Sequence, residues 1–142
     1  MRHILVATDG SEGADRAIDV AAKLAKAFGA ELLIVNIGGN LSGEEIRQLE
    51  RAEPNIGDAL DALSQQILAA AKTRIAHLGV SNLQLRVGWG DPAQSIMEIA
   101  VRESTDAIVA GRRGRGRLTG LLLGSVSQKI ASLAPCTVVI VP

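Results

Sequence analysis

Five short apolar runs, separated by stretches with helical spacing, leave this chain few ways to fold. The runs are HILVAT (3–8), ELLIVNI (31–37), NLQLRVG (82–88), DAIVAG (106–111) and CTVVIV (136–141). Each has strand length, and most are apolar at consecutive rather than alternate positions, as in strands buried on both faces. Between the first two, ADRAIDVAAKLAKAFG sets Ala17, Ile18, Ala21, Leu24, Ala25 and Phe28 on one helical face and ends in Gly29, a C-cap residue. Leu60, Leu63, Ile67, Ala71, Ile75 and Leu78 repeat at intervals of three or four ahead of Gly79. Asp91-Pro92-Ala93-Gln94 reads as a capping box with proline at the first helical position, opening a helix that carries Ile96, Ile99 and Ala100. A last helix runs through Val126, Ile130 and Leu133. Residues 38–57 are polar and glycine-rich with Pro54, and read as a long, partly mobile connection with room for a helical turn around Glu44–Arg51.

The order is therefore β-α-β-α-β-α-β-α-β. Strands that alternate with helices pair in parallel, join by right-handed crossovers and place helices on both faces of the sheet. The expected fold is α/β, a Rossmann-like doubly wound five-stranded parallel sheet. A chain of 142 residues is the size of one domain, and no repeat or linker divides it, so residues 1–142 are read as a single domain. Phe28 and Trp89 are the only aromatic side chains, which leaves Val, Ile, Leu and Ala to build the core.

Several classes of function fall away. The opening MRHILVATDG leads straight into a strand pattern and does not read as an export leader, and no apolar run approaches the roughly 18 residues of a membrane span. The single cysteine, Cys136, excludes a disulfide framework and fits a reducing compartment, so a cytoplasmic protein is expected. Cys136 itself reads as an inert buried thiol. His3 and His77 lack metal-ligand spacing, and Trp89, between Gly88 and Gly90, reads as packing under a loop more readily than as a platform for a base.

In a doubly wound sheet, ligands gather at the carboxyl ends of the strands where the strand order reverses. The segments there are Thr8–Ser11, Ile37–Gly39, Gly90–Asp91 and the stretch from Gly111 onward, GRRGRGRLTGLLLGS. That stretch threads Arg112, Arg113, Arg115 and Arg117 between glycines and admits three readings: a loop that holds an anion, a basic arm for nucleic acid, or a solvated connection. Lys plus Arg and Asp plus Glu both number 15, and this balance, with so few aromatics for stacking, argues against nucleic acid. An anion site needs converging backbone N–H groups, glycines that let the backbone come close, and a helix N-terminus. Gly111 and Gly114 supply the glycines, and Gly124-Ser125 opens the last helix, with Ser125 as N-cap or hydroxyl donor and Ser127 as a second hydroxyl. Neither G-x-x-x-x-G-K-[ST] nor G-x-G-x-x-G is present. Asp9, in the first strand-helix turn, suits both a helix cap and a ligand contact, which are compatible.

The spacing Gly111-x2-Gly114-x9-Gly124-Ser125 resembles the ATP-binding signature of the universal stress protein family. The start ILVATDGSEGADRAI, the turn GDPAQSI and the end GSVSQKIASLAPCTVVIV resemble that family at matching places, so the likeness spans the chain apart from residues 38–57. The resemblance implies a flavodoxin-like fold with strand order 3-2-1-4-5 and ATP, with Mg²⁺, across the carboxyl edge. It implies that Ala7, Thr8 and Asp9 flank adenine and ribose, that the Ile37 backbone meets the adenine edge, and that Ala110 and Gly111 meet the ribose. Arg113, Gly114, Gly124, Ser125, Val126 and Ser127 would cradle the phosphates, and the last strand, Cys136–Val141, would pair two copies as a homodimer. Four arginines are more than the signature requires. The function implied is an ATP-binding stress-response regulator. The alternatives are a slow ATPase or phosphotransferase, an AMP or cyclic-nucleotide sensor, and an interaction module using the arginine loop. Asp9 is the only carboxylate placed at the cleft, which is thin equipment for phosphoryl transfer.

Overall fold

The apolar runs become strands whose side chains are buried whichever way they point. In a computed structural model that describes residues 1–39, 41–52, 54–114 and 122–142, these strands are β1 (His3–Ala7), β2 (Glu31–Gly38), β3 (Leu83–Trp89), β4 (Ala107–Gly111) and β5 (Thr137–Val141). All neighbours pair in parallel, in the order β3-β2-β1-β4-β5. The strand order is the one implied by the resemblance. The helices are α1 (Glu12–Phe28), α2 (Gly43–Ala52), α3 (Ile56–Ile75), α4 (Pro92–Arg102) and α5 (Ser125–Leu133).

Register sorts the core into two layers. Leu5 lies opposite Leu33 and Ile108, and these pack with Val35, Ile96, Ile99 and Ile130 under α4 and α5. Val6 lies opposite Ile34 and Val109, and these pack with Ile18, Ala21, Leu68 and Ile75 under α1 and α3. A sheet covered on both faces by helices is the doubly wound arrangement.

Helix ends follow their residues. The Ser11 hydroxyl accepts from Ala14 N at 3.2 Å, Asn55 Oδ1 accepts from Asp58 N at 3.2 Å and Asp91 Oδ2 accepts from Gln94 N at 3.0 Å. Pro92 takes the first helical position of α4 as expected, but the Gln94 side chain turns to Glu98 Oε1, at 3.0 Å, so the box is made from one side. Gly29 ends α1 at φ 63°, a left-handed conformation that glycine adopts without a Cβ clash.

Some expectations are corrected. The connection over residues 38–57 contains a ten-residue helix, α2, and α3 begins at Ile56. Phe28 and Leu133 were expected on buried faces but are 55% and 67% exposed, because each sits in the last turn of its helix, beyond the sheet it covers. In α3 the deep positions are Ser64, Leu68, Ala71 and Ile75, whereas Leu60, Leu63 and Ile67 are half-buried. The last strand begins at Thr137, and Cys136 is a half-buried thiol at the edge of the α4/α5 layer, its pKa raised by burial. Arg115 and Arg117 lie outside the described residues.

Ion pairs fasten the periphery. The Arg74 guanidinium forks onto Asp19, with both N–O distances 2.8 Å, and reaches Asp15 at 3.6 Å, joining α3 to α1. Arg86 pairs with Glu103, joining β3 to α4. Asp106 accepts from the Arg2 and His3 amides at 2.7 and 2.9 Å, fixing the start of β1 against the start of β4. These contacts hold the Asp19 and Asp106 carboxyls below the ordinary value of 3.8, Asp19 chiefly through its bond to Arg74 and Asp106 through the two amides.

Two outcomes follow. Ile34→Ala, at a position with no exposed surface, should cost about 2–5 kcal/mol in urea unfolding. A carboxyl with a lowered native pKa stabilises the fold above its unfolded value, and that contribution is lost as pH falls through the lowered native value. Tm measured from pH 5 down to 2.5 should therefore fall less steeply for Asp19→Asn/Asp106→Asn than for the wild type. An equal slope would show that these two bonds carry none of the acid sensitivity.

Candidate functional site

The crevice arises from chain direction. β1 and β4 are neighbours, yet β1 leads into α1 on one face while β4 leads toward α5 on the other. Their carboxyl ends therefore diverge, and the strand order reverses between them.

On the β1 side, the ladder continues one residue past the strand, with Thr8 N donating to Val35 O at 2.8 Å. The chain then turns tightly. Gly10 N donates to Thr8 Oγ1 at 3.1 Å, Ser11 N donates to Asp9 Oδ1 at 3.0 Å, and Gly10 stands at φ 81°, which disfavours a side chain. Asp9 thus braces the turn, and the cap of α1 that Asp9 was read for falls to Ser11.

On the β4 side, Arg112 N donates to Val141 O at 2.7 Å, extending the pairing with β5. Arg112 O then accepts from Gly124 N at 2.8 Å and from the Ser127 hydroxyl at 2.7 Å, closing the neck of the loop that leaves β4. The Ser127 hydroxyl also lies 3.1 Å from Gly124 O; its single hydrogen favours the shorter bond. Ser127 is buried, so its hydroxyl first secures the neck.

The N-cap of α5 is Gly124, which has no side chain to offer, and Ser125 is the first helical residue rather than the cap. The other four described helices are capped by Ser11, Ser42, Asn55 and Asp91. The first N–H groups of α5 are therefore left for another acceptor, with the positive end of the helix dipole behind them.

A cavity of about 440 Å³ opens here, within the usual range for small-molecule sites. All twelve candidate residues line it: Ala7, Thr8, Asp9, Ile37, Ala110, Gly111, Arg113, Gly114, Gly124, Ser125, Val126 and Ser127. Gly114 lies against the Asp9 carboxylate, where a Cβ on Gly114 would collide with Oδ2. Trp89 is not in the wall; its ring packs over Gly38 and Gly39 and is 50% exposed.

The structure adds walls that sequence reasoning missed. Leu41, Ser42 and Glu45 come from α2 and the residues before it, and Pro92 and Ile96 from α4. Ser42 and Glu45 form a reciprocal capping box: Glu45 N donates to Ser42 Oγ at 3.2 Å and Ser42 N to Glu45 Oε1 at 3.3 Å. The signal was the S-G-E-E spacing at 42–45, inside a stretch read as connection. Asp9 is thus not the only carboxylate at the cleft. Among the described residues no three His, Cys, Asp or Glu side chains converge as a metal site, and no helix is long and apolar enough to cross a membrane.

With this geometry in view, comparison with known proteins is informative. The profile of the universal stress protein family matches residues 1–142. A Thermus aquaticus protein named as a universal stress protein in the QAH/OAS sulfhydrylase 3′ region is 37% identical over 143 residues, covering 97% of this chain and 96% of the relative. A solved universal stress protein in complex with cAMP superposes with a TM-score of 0.75 at 30% identity, over 99% of this chain and 97% of that one. UspA from Lactobacillus plantarum, at 23% identity and a TM-score of 0.80 over 99% and 97%, shares the fold.

The floor of the cavity also depends on a contact between backbones. A Cβ on Gly13 would sit 2.8 Å from Arg113 O, and one on Gly111 would sit 2.9 Å from Gly13 O. Neither glycine has positive φ, so space rather than conformation is the reason for them. Gly13→Ala should improve helix propensity, yet it should destabilise the fold by about 1–3 kcal/mol through overpacking. Unchanged or increased stability in urea unfolding would show that the loop yields freely.

Proposed function

The chain belongs to the universal stress protein family, and we propose that it is a nucleotide-binding regulatory protein that holds ATP, with Mg²⁺, in the cavity between β1 and β4. One observation carries this reading. The only described helix without a side-chain N-cap is α5, and its first turn opens onto a cavity also lined by Gly111, Arg113 and Gly114. Uncapped N–H groups, a helix dipole, close-approaching glycine backbone and an arginine are what a phosphate chain requires. The opposite part of the wall, with Ala7, Val35, Ile37 and Leu41, is apolar and suits a base.

Bound with ATP, Mg²⁺ supplies charge neutralisation to the phosphates. The described residues form no metal cage of their own; Asp9, whose carboxylate lies against Gly114, is the residue that would meet the ion. Hydrolysis is expected to be slow. Of the two carboxylates among the described residues of the wall, Asp9 braces the Ser11 amide and Glu45 caps α2, and a base that orients a nucleophile must be available to it. A cyclic-nucleotide sensor is the second reading, supported by the 30%-identical universal stress protein solved with cAMP. A homodimer through β5 is part of the same proposal, since β5 is an edge strand of the sheet.

Calorimetric titration of nucleotide-stripped protein with ATP and Mg²⁺, then with AMP and cAMP, tests the reading. ATP is expected to bind saturably, and Gly114→Ala/Ser125→Ala to weaken it at least tenfold. Tighter binding of cAMP than ATP would favour the sensor, and binding of none of the three would overturn the nucleotide reading.

A further inference from the structure

Along the face of β2 that meets α1 and α3, the pattern is Leu32, Ile34, and then Asn36, an amide where an apolar side chain is due. Asn36 is only 3% exposed. Its Nδ2 donates to Thr8 O at 2.9 Å, and a carbonyl can only accept, so the amide nitrogen must be on that side. That leaves Oδ1 buried with no hydrogen-bond partner. An orphaned acceptor is unfavourable, and a residue retained only for packing would be leucine.

The bond to Thr8 sits at a particular place. Thr8 N completes the β1–β2 ladder on Val35 O, and the Asn36 amide supplies the next rung, which the backbone cannot because the chain is already turning. Thr8 Oγ1 then takes Gly10 N, and Asp9 Oδ1 takes Ser11 N. Asn36 therefore grips the peptide that carries Asp9 from behind, outside the large cavity. Its own surroundings include a second cavity of about 30 Å³, shared with Asp9, Ser64 and Ile67, while Oδ1 itself is shut off from water.

We propose that Asn36 is a positioning residue of the nucleotide site, which sets the Thr8–Asp9 turn, and with it the Asp9 carboxylate, through the Thr8 carbonyl. This rests on the nucleotide reading above for its functional consequence, but not for its structural one. A group that only stabilised the core would change stability and affinity together. A positioning group at a local cost to the core separates them.

The test uses Asn36→Leu, which is close in size and removes the orphan, and Asn36→Ser as a second variant. Amide hydrogen exchange at Gly10 and Ser11 is read without ligand, and ATP affinity is read by calorimetry. In either variant, exchange at these two amides should quicken at least tenfold and ATP should bind at least tenfold more weakly, while the Tm of Asn36→Leu stays level or rises. Unchanged exchange and affinity within twofold of wild type would overturn the proposal. So would failure of both variants to fold, or a Tm loss with exchange quickened evenly across the sheet, since either makes Asn36 a core residue. Should the wild type bind no nucleotide, the reading of function falls, and the exchange rates alone decide whether Asn36 holds the turn.

Discussion

β1 is hydrogen-bonded on both sides and buried on both faces, and the carboxyl edge takes its shape from that confinement. With β2 on one side and β4 on the other, every connection must cross over the sheet, and the right-handed rule sends α1 and α5 to opposite faces. The two turns beside β1 and β4 therefore leave in opposite directions and meet only at the floor, where Gly13 touches Gly111 and Arg113 and Gly114 touches Asp9. The gap between them is a consequence of topology, open before any side chain is chosen to fill it.

What the gap can hold is decided mostly by backbone. Four described helices end on their own side chains, a solution that satisfies the first N–H groups locally and leaves nothing for a ligand. α5 begins on Gly124 instead, and Ser127, which might have reached outward, spends its hydroxyl on the Arg112 carbonyl. The neck of the loop is thereby closed by the protein, while the N-terminus of α5 stays open. Gly13, Gly111 and Gly114 extend the same logic: each stands where a Cβ would meet backbone or the Asp9 carboxylate, so the floor is assembled by close approach. Asp9 and Asn36 hold the turn after β1 from two sides.

The strands and their alternation with helices, α2 apart, were legible because burial on both faces leaves an apolar run that no other role requires. Asp91-Pro92 was legible because a cap is local: donor and acceptor lie three residues apart. The same locality made Ser42-x-x-Glu45 readable, yet the helix it opens was passed over, since its neighbours are polar and it buries no residue of its own. In α3, Ala71 and Ile75 are buried as expected, but the first half of the stripe moves by one position, from Leu63 and Ile67 to Ser64 and Leu68. Leu60, Leu63 and Ile67 face the upper, more open end of the layer, and Ser64 is buried because it meets Gly38, a contact 26 residues away that periodicity cannot see.

Sequence alone determined the fold class, the position of the glycine-rich loop at a strand end and the residue types around it, because strand burial, capping and glycine spacing are short-range properties of a chain. It did not determine that α2 walls the cavity, that Ser11 rather than Asp9 caps α1, or that Asn36 reaches the Thr8 carbonyl. Those depend on which surfaces meet once β1, β2 and α3 are packed. A hydrogen bond or a missing Cβ across such a contact joins residues tens of positions apart, and only the tertiary structure brings them together.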